Sequence, residues 1–337
     1  MVYCWEPMTG KLYSPTASRR DAISALRFTD QDELLVGTQG GEVSWWDARK
    51  GVKLRDVKLA GLETTWSRDR IDMAAAGDVV VCFDGCPNRH VLMKSWLSDL
   101  RTGKLLCYDE STDTETLSLF ANGRKAVSLQ SNVVRIWDTA GGKDLVRWTT
   151  EAWDQGVALT SVRVAEDGRF FAFGTDTKKL VLWDDKKHVV MCAWPLDADW
   201  PRVVGVEKAI VFSADSGWLA FPEARNRLCV LRLGTKKAVT LTLDEKATVT
   251  GLAFSPDGRE LACAVRYDSA GSAENRIVIY ELATMKKRVD LAGHGDATIY
   301  CLAYSADGEL LASGAADATV LIWPYRLRGA RVVPEKK

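Results

Sequence analysis

Residues 304–323 read YSADGELLASGAADATVLIW, and this stretch decides the fold. It holds an apolar run, an Asp307-Gly308 turn, a second apolar run, another polar turn and a third run closing on Trp323. Asp-Gly between two short β-prone runs is a strong hairpin signal, because both residues tolerate the turn backbone. Runs such as Val-Leu-Ile-Trp are too short for a buried helix and rich in the branched and aromatic side chains that favour strands.

Working outward, the same unit recurs along the chain. FSPDGRELACAV begins at Phe254, VAEDGRFFAFGTDTKKLVLWD at Val164 and FTDQDELLVGTQGGEVSWWD at Phe28. FANGRKAVSLQSNVVRIWD from Phe120 and FSADSGWLAFPEARNRLCVLRL from Phe212 are looser copies, and the copy between Ile71 and Trp96 is the most degenerate. The third strands are expected to end near Trp5, Trp46, Trp96, Trp137, Trp183, Leu231, Tyr280 and Trp323. That spacing of roughly 40–50 residues is the period of a β-propeller blade, the longer gaps being loop insertions such as Tyr267 to Asn275. The expectation is an all-β chain: a seven-bladed β-propeller of four-stranded antiparallel blades, forming one domain over residues 1–337. First, inner strands are placed around Leu26, Val162, Ala209, Leu252 and Leu302.

These units resemble the WD-40 repeat family over essentially the whole chain. The Trp-Asp pair stands at Trp46-Asp47, Trp137-Asp138 and Trp183-Asp184, and the last unit carries Gly293-His294, Ser313, Asp317 and Trp323 in the family's order. Leu231-Arg232, Tyr280-Glu281 and Trp323-Pro324 depart from the pair. The resemblance implies a buried hydrogen-bonded network of His294, Ser313, Asp317 and Trp323, satisfying the Trp N–H and the imidazole nitrogens. It also implies that blade-to-blade connections gather on one rim around the central channel.

The ends of the chain hold more strands than seven blades need. Gly10 to Tyr13 reads as a fourth strand completing the last blade beside Thr319 to Trp323. Met1 to Trp5 reads as a third strand with no first or second before it, and Gly329 to Val333 as another fourth strand. Residues 1–9 and 326–337 are therefore extra terminal strands, paired peripherally or marking the cut edge of a longer repeat array.

Composition narrows the function classes. Hydrophobic residues make up 47% and charged residues 27%, the balance of an ordinary globular protein. Lys and Arg number 45, as do Asp and Glu, so there is no bulk attraction to nucleic acid or an anionic membrane. No apolar run reaches the length of a membrane helix; the best, Met73 to Phe83, is broken by Asp78. The start, Met1-Val2-Tyr3-Cys4-Trp5-Glu6, has no basic region followed by an apolar one, so no signal peptide is expected. Eight cysteines lie scattered, mostly in strand-like runs, which reads as reduced thiols in a cytoplasmic compartment.

Several constellations imitate chemistry. His294, Ser313 and Asp317 have the residue types of a nucleophilic triad, but no Gly-x-Ser-x-Gly elbow is present and the structural network is the expected role. Cys82, Cys86 and His90 have ligand types without the Cys-x-x-Cys spacing or a fourth ligand, so no metal is expected. Asp184-Asp185 and Asp197-Ala198-Asp199 lack the calcium loop's glycine and terminal glutamate. No phosphate-binding glycine motif occurs, and no cofactor is expected.

Thirteen tryptophans remain to be placed. Trp66, Trp153 and Trp200 sit outside the strand-ending position, shortly before first strands, with Arg20, Arg68 and Arg202 near blade starts. Trp and Arg are enriched at binding hot spots. Packing under neighbouring loops is the competing role. The expected function is a non-catalytic platform for protein or peptide partners, with these six residues as the binding set. The alternative is a propeller enzyme with its site in the central channel, where Ser24, Ser161, Thr250 and Tyr300 start inner strands and are poor metal ligands.

Overall fold

Alternating burial builds the architecture. The structure is a computed structural model that describes residues 3–6, 11–13, 22–60, 70–73, 77–83, 95–109, 117–130, 133–149, 157–196, 209–269 and 272–324. In the second and third strands, successive residues point to opposite faces, and both faces are buried. Leu34 and Trp46 join Leu310, Ala312, Val320 and Ile322 in one apolar cluster, whereas their neighbours Leu35 and Trp45 join Val80, Trp96 and Leu100 in another. The first blade is thus wedged between the last and the second.

The strands form seven sheets. The first blade comprises Ile23–Phe28, Glu33–Thr38, Glu42–Asp47 and Val52–Lys58. The second comprises Arg70–Met73, Val79–Phe83, Ser95–Asp99 and Leu105–Asp109. Leu117–Phe120, Lys125–Gln130, Val133–Asp138 and Asp144–Thr149 make the third. Leu159–Val164, Phe170–Thr175, Lys179–Asp184 and Val189–Pro195 make the fourth. The fifth holds Val211–Phe212, Trp218–Ala224, Arg227–Arg232 and Lys237–Thr242. The sixth holds Ala247–Phe254, Glu260–Ser269, Ser272–Glu281 and Lys286–Ala292. Ile299–Tyr304, Leu310–Ala315 and Thr319–Pro324 begin the seventh. Each of the first six is a four-stranded antiparallel meander, and no α-helix occurs among the described residues.

The seventh blade corrects the expected closure. Tyr3–Glu6, not Gly10 to Tyr13, lies beside Thr319–Pro324, and it runs parallel, with Tyr3 opposite Thr319 and Trp5 opposite Leu321. Lys11–Tyr13 pairs with Tyr3–Glu6 as a fifth, outermost strand. The segment read as an orphan third strand is therefore the fourth strand of the last blade. Gly329 to Val333 lies outside the described residues.

Three further readings are corrected. The third strand of the second blade runs to Asp99, so Ser98 holds the place filled elsewhere by the strand-ending Trp, and Trp96 stands two residues earlier on the same face. Ala209 precedes the first strand of the fifth blade, which is only Val211–Phe212. The Tyr267 to Asn275 insertion lengthens a hairpin: Tyr267 pairs with Glu274 and Ser269 with Ser272.

The turns explain why the sequence units fold alike. Gly168, Gly258 and Gly308 take positive φ of 72°, 65° and 71° in the hairpins joining first and second strands. Ser255 and Ser305 fasten these turns. Each hydroxyl donates 2.6 Å to the Asp two residues on and accepts 2.9 Å from the N–H five residues on.

Closure also demands a small residue where the last blade meets the first. A Cβ on Gly314 would stand 2.4 Å from Ile23 Cγ2 and 2.9 Å from Cys301 Sγ. On the same seam the guanidinium of Arg49, in the turn after the first blade's third strand, pairs with Asp307 and Glu309 of the seventh. Gly314→Val is expected to lower the unfolding free energy by about 1–3 kcal/mol through overpacking. Denaturant melts checking this should show an unchanged midpoint only if the seam opens without cost.

Candidate functional site

Two places concentrate polar groups: the buried network of the last blade and the central channel. In the first, Gly293 is required because a Cβ there would lie 2.7 Å from the Trp323 ring. His294 follows at a φ of 63°, a left-handed turn that aims its ring inward. Its Nε2 lies 2.8 Å from Ser313 Oγ, and its Nδ1 lies 2.8 Å from Thr319 Oγ1. Trp323 Nε1 donates to Ser313 Oγ at 2.8 Å, while Thr319 Oγ1 donates to Asp317 Oδ1 at 2.6 Å.

These distances admit one consistent order of protons. The Thr319 hydroxyl donates to the carboxylate, so His294 Nδ1–H donates to Thr319. His294 Nε2 is then the acceptor for the Ser313 O–H, and the Ser313 oxygen receives the indole N–H. The chain is satisfied with a neutral imidazole. Burial pushes the His294 pKa down to about 4, against the opposing pull of Asp317. The four residues singled out from the sequence meet in this network, but Asp317 reaches His294 through Thr319, which sequence reasoning missed. Ser313 is fully buried, so no substrate reaches its hydroxyl and the nucleophile reading fails.

Two other blades solve the same problem locally. Trp46 Nε1 donates to Ser44 Oγ at 2.8 Å, and Trp183 Nε1 donates to Asp185 Oδ1 at 3.2 Å. Both partners lie two residues away, which removes the need for a Gly-His pair.

The channel is a cavity of about 360 Å³ reached by residues of all seven blades, including Ser24, Ser118, Arg163, Glu166, Tyr300 and Cys301. Ser24 on its wall is turned into the blade, donating to Gly37 O at 3.3 Å, and Thr250, next to the lining Gly251, donates to Ala264 O at 3.4 Å. Each sits at a register shift where the first strand carries an extra residue. Half-buried Glu166 accepts a hydrogen bond from Asn122 N–H, yet burial, with nearby Asp167, raises its pKa. No group of three metal-ligating side chains occurs among the described residues. Cys82 lies in a strand, while Cys86 and His90 fall outside the described residues.

The six partner-binding candidates, Trp66, Trp153, Trp200, Arg20, Arg68 and Arg202, also lie outside the described residues. The strands bracketing them are described. Trp66 falls between Val52–Lys58 and Arg70–Met73, Trp153 between Asp144–Thr149 and Leu159–Val164, and Trp200 between Val189–Pro195 and Val211–Phe212. Each such gap links an outer strand to the inner strand of the next blade. First strands start beside the tips of the hairpins joining second and third strands: Gln39 N–H donates to Ala22 O, and Ala316 N–H to Thr298 O.

Comparison with known proteins matches this pattern. The family model of the WD domain, G-beta repeat, fits residues 237–281 and 285–324. The chain carries WD40 repeats. Each matched unit begins with the outer strand of one blade and ends with the third strand of the next, so both matched repeats straddle a blade boundary. The human intraflagellar transport protein 122 homolog is 41% identical over 91 residues, covering 26% of this chain and 7% of that protein. Apoptotic protease-activating factor 1 of Danio rerio is 24% identical over 80% of this chain and 19% of its own length. Protein FIZZY-RELATED 1 of Arabidopsis thaliana is 22% identical over 77% of this chain and 58% of its own. The chain spans only a small part of the intraflagellar transport relatives, and the matched model describes a repeat, with no catalytic family shown.

The network predicts a pH effect with a definite sign. His294 takes up a proton in the unfolded chain near its ordinary 6.5 but resists it in the fold down to about 4. Its contribution is complete above that upper value and is lost as the pH falls through this window. Chemical melts between pH 7.5 and 4 should show the slope in the native chain and a weaker one in His294→Gln. Trp323→Ala is expected to cost about 3–5 kcal/mol by leaving a cavity.

Proposed function

We propose that the chain is a non-catalytic interaction platform whose rim binds a protein or peptide partner. One observation carries this: the nucleophile and acid–base types of the last blade are consumed in a sealed network, with Ser313 wholly buried. The WD40 repeats and their propeller support a scaffold, and the zero net formal charge favours a protein partner over nucleic acid. Trp66, Trp153 and Trp200 belong to blade-to-blade links, so a ring of such links gathers residues far apart in sequence. Arg20, Arg68 and Arg202 suit a partner segment with acidic as well as apolar side chains.

A reducing, cytoplasmic compartment fits the same reading. Burial, assisted by Glu223, raises the Cys229 thiol to about 12, and burial raises Cys263 as well, so both persist as apolar core groups.

Affinity capture with the intact chain and with Trp66→Ala, Trp153→Ala and Trp200→Ala tests the rim. The expected result is an unchanged melting temperature with about 2 kcal/mol or more of binding lost per anchor. Full retention of partners by the triple variant excludes these tryptophans as the binding set.

A further inference from the structure

The circumference of the propeller is a row of outer strands, and an outer strand offers unpaired N–H and C=O groups to any extended chain. In the seventh blade that offer is taken up. Lys11–Tyr13 adds to Tyr3–Glu6 as a fifth strand, so the blade edge of this molecule accepts one more. Most other edges carry the charges that discourage such pairing. Val52–Lys58 reads VKLRDVK, Leu105–Asp109 LLCYD, Asp144–Thr149 DLVRWT, Lys237–Thr242 KAVTLT and Lys286–Ala292 KKRVDLA.

The exception is Val189–Pro195 in the fourth blade, VVMCAWP, without a single charged residue. It has an anchored face and an open one. Met191, Cys192 and Trp194 pack against the core shared with the fifth blade, and the Trp194 ring meets Phe221 at 5.6 Å between centroids. Val190, at 36% exposure, and Ala193 lie on the other face, opposite Trp183 and Val181, while Val189, at 45%, is exposed at the start of the strand.

Lysines flank this strand. Exposed Lys186 and Lys187 precede it, and exposed Lys236 of the fifth blade acts on the Cys192 thiol. Nearby carboxylates are engaged within the blade: Asp184 by Arg169 at 3.1 Å, Asp185 by the Trp183 indole and Asp176 by Ala158 N–H.

We propose that the Val189–Pro195 edge is a strand-addition site for an extended acidic segment of a partner protein, in which apolar and acidic side chains alternate. Main-chain hydrogen bonds supply the affinity, alternate apolar side chains lie along Val190 and Ala193, and the acidic ones reach Lys186, Lys187 and Lys236. This side site is separate from the rim and does not depend on it.

The probe is a fluorescein-labelled peptide of alternating Glu and Val, titrated into the intact chain by anisotropy and followed by amide exchange. Binding should slow exchange at Val190 to Trp194. It should weaken by about tenfold or more for Val190→Glu, for the same peptide N-methylated at alternate residues, and for a Lys/Val peptide. The triple Trp→Ala rim variant should bind the peptide normally, which keeps the two sites distinguishable. The N-methylated peptide tests strand pairing on the unaltered chain, whatever Val190→Glu does to folding. Unslowed exchange at this strand, or equal binding of the N-methylated or Lys/Val peptide, overturns the proposal. A concentration-dependent dimer abolished by Val190→Glu, with no peptide bound, overturns it in favour of a second copy of the chain.

Discussion

A blade of this protein has two apolar faces and cannot bury either alone. Leu34 and Leu35, or Trp45 and Trp46, are neighbours in sequence that need shelter on opposite sides. Burial of both comes only when each sheet lies between two others, and the chain of sheets must then close on itself or leave an apolar face in water. The apolar clusters record this, because each one joins residues of adjacent blades. Gly314 lets the last blade approach the first, and Tyr3–Glu6 completes the last sheet. The offset of the WD40 unit against the blade serves the same end, since each repeat carries covalently the link to its neighbour.

Polar chemistry inside such a stack is confined by the need for partners. Trp323 finds its acceptor in Ser313, and the chain continues through His294 and Thr319 to Asp317. Where Trp46 and Trp183 find acceptors two residues away, no imidazole is needed. The imitation of a catalytic triad is thus a by-product of burying an indole N–H.

Much of the fold was legible because its turns are chemically specific. Asp-Gly pairs and Trp-Asp strand ends mark hairpins that admit few other residues, and they located most strands. What stayed hidden follows from weaker constraints. Ser98 replaces the strand-ending Trp of the second blade, so Trp96 drew the strand end too early. Tyr3–Glu6 and Lys11–Tyr13 are both short and β-prone, and only pairing distinguishes the fourth strand from the fifth. Thr319 carries no signature beyond being β-branched, so its relay between His294 and Asp317 emerges only from distances. The six rim residues were selected by type and position between strands, which is as far as a pattern reaches.

The parallel pairing of Tyr3–Glu6 with Thr319–Pro324 gives the molecule a direction under load. Tension entering ahead of Tyr3 and leaving beyond Pro324 pulls two parallel strands along their axes in opposite senses. The ladder bonds that hold Tyr3 opposite Thr319 and Trp5 opposite Leu321 then bear it together, in shear, instead of parting one after another. A propeller tethered at both ends would resist force at this one seam, and the other six blades would feel little of it until the seam gave way.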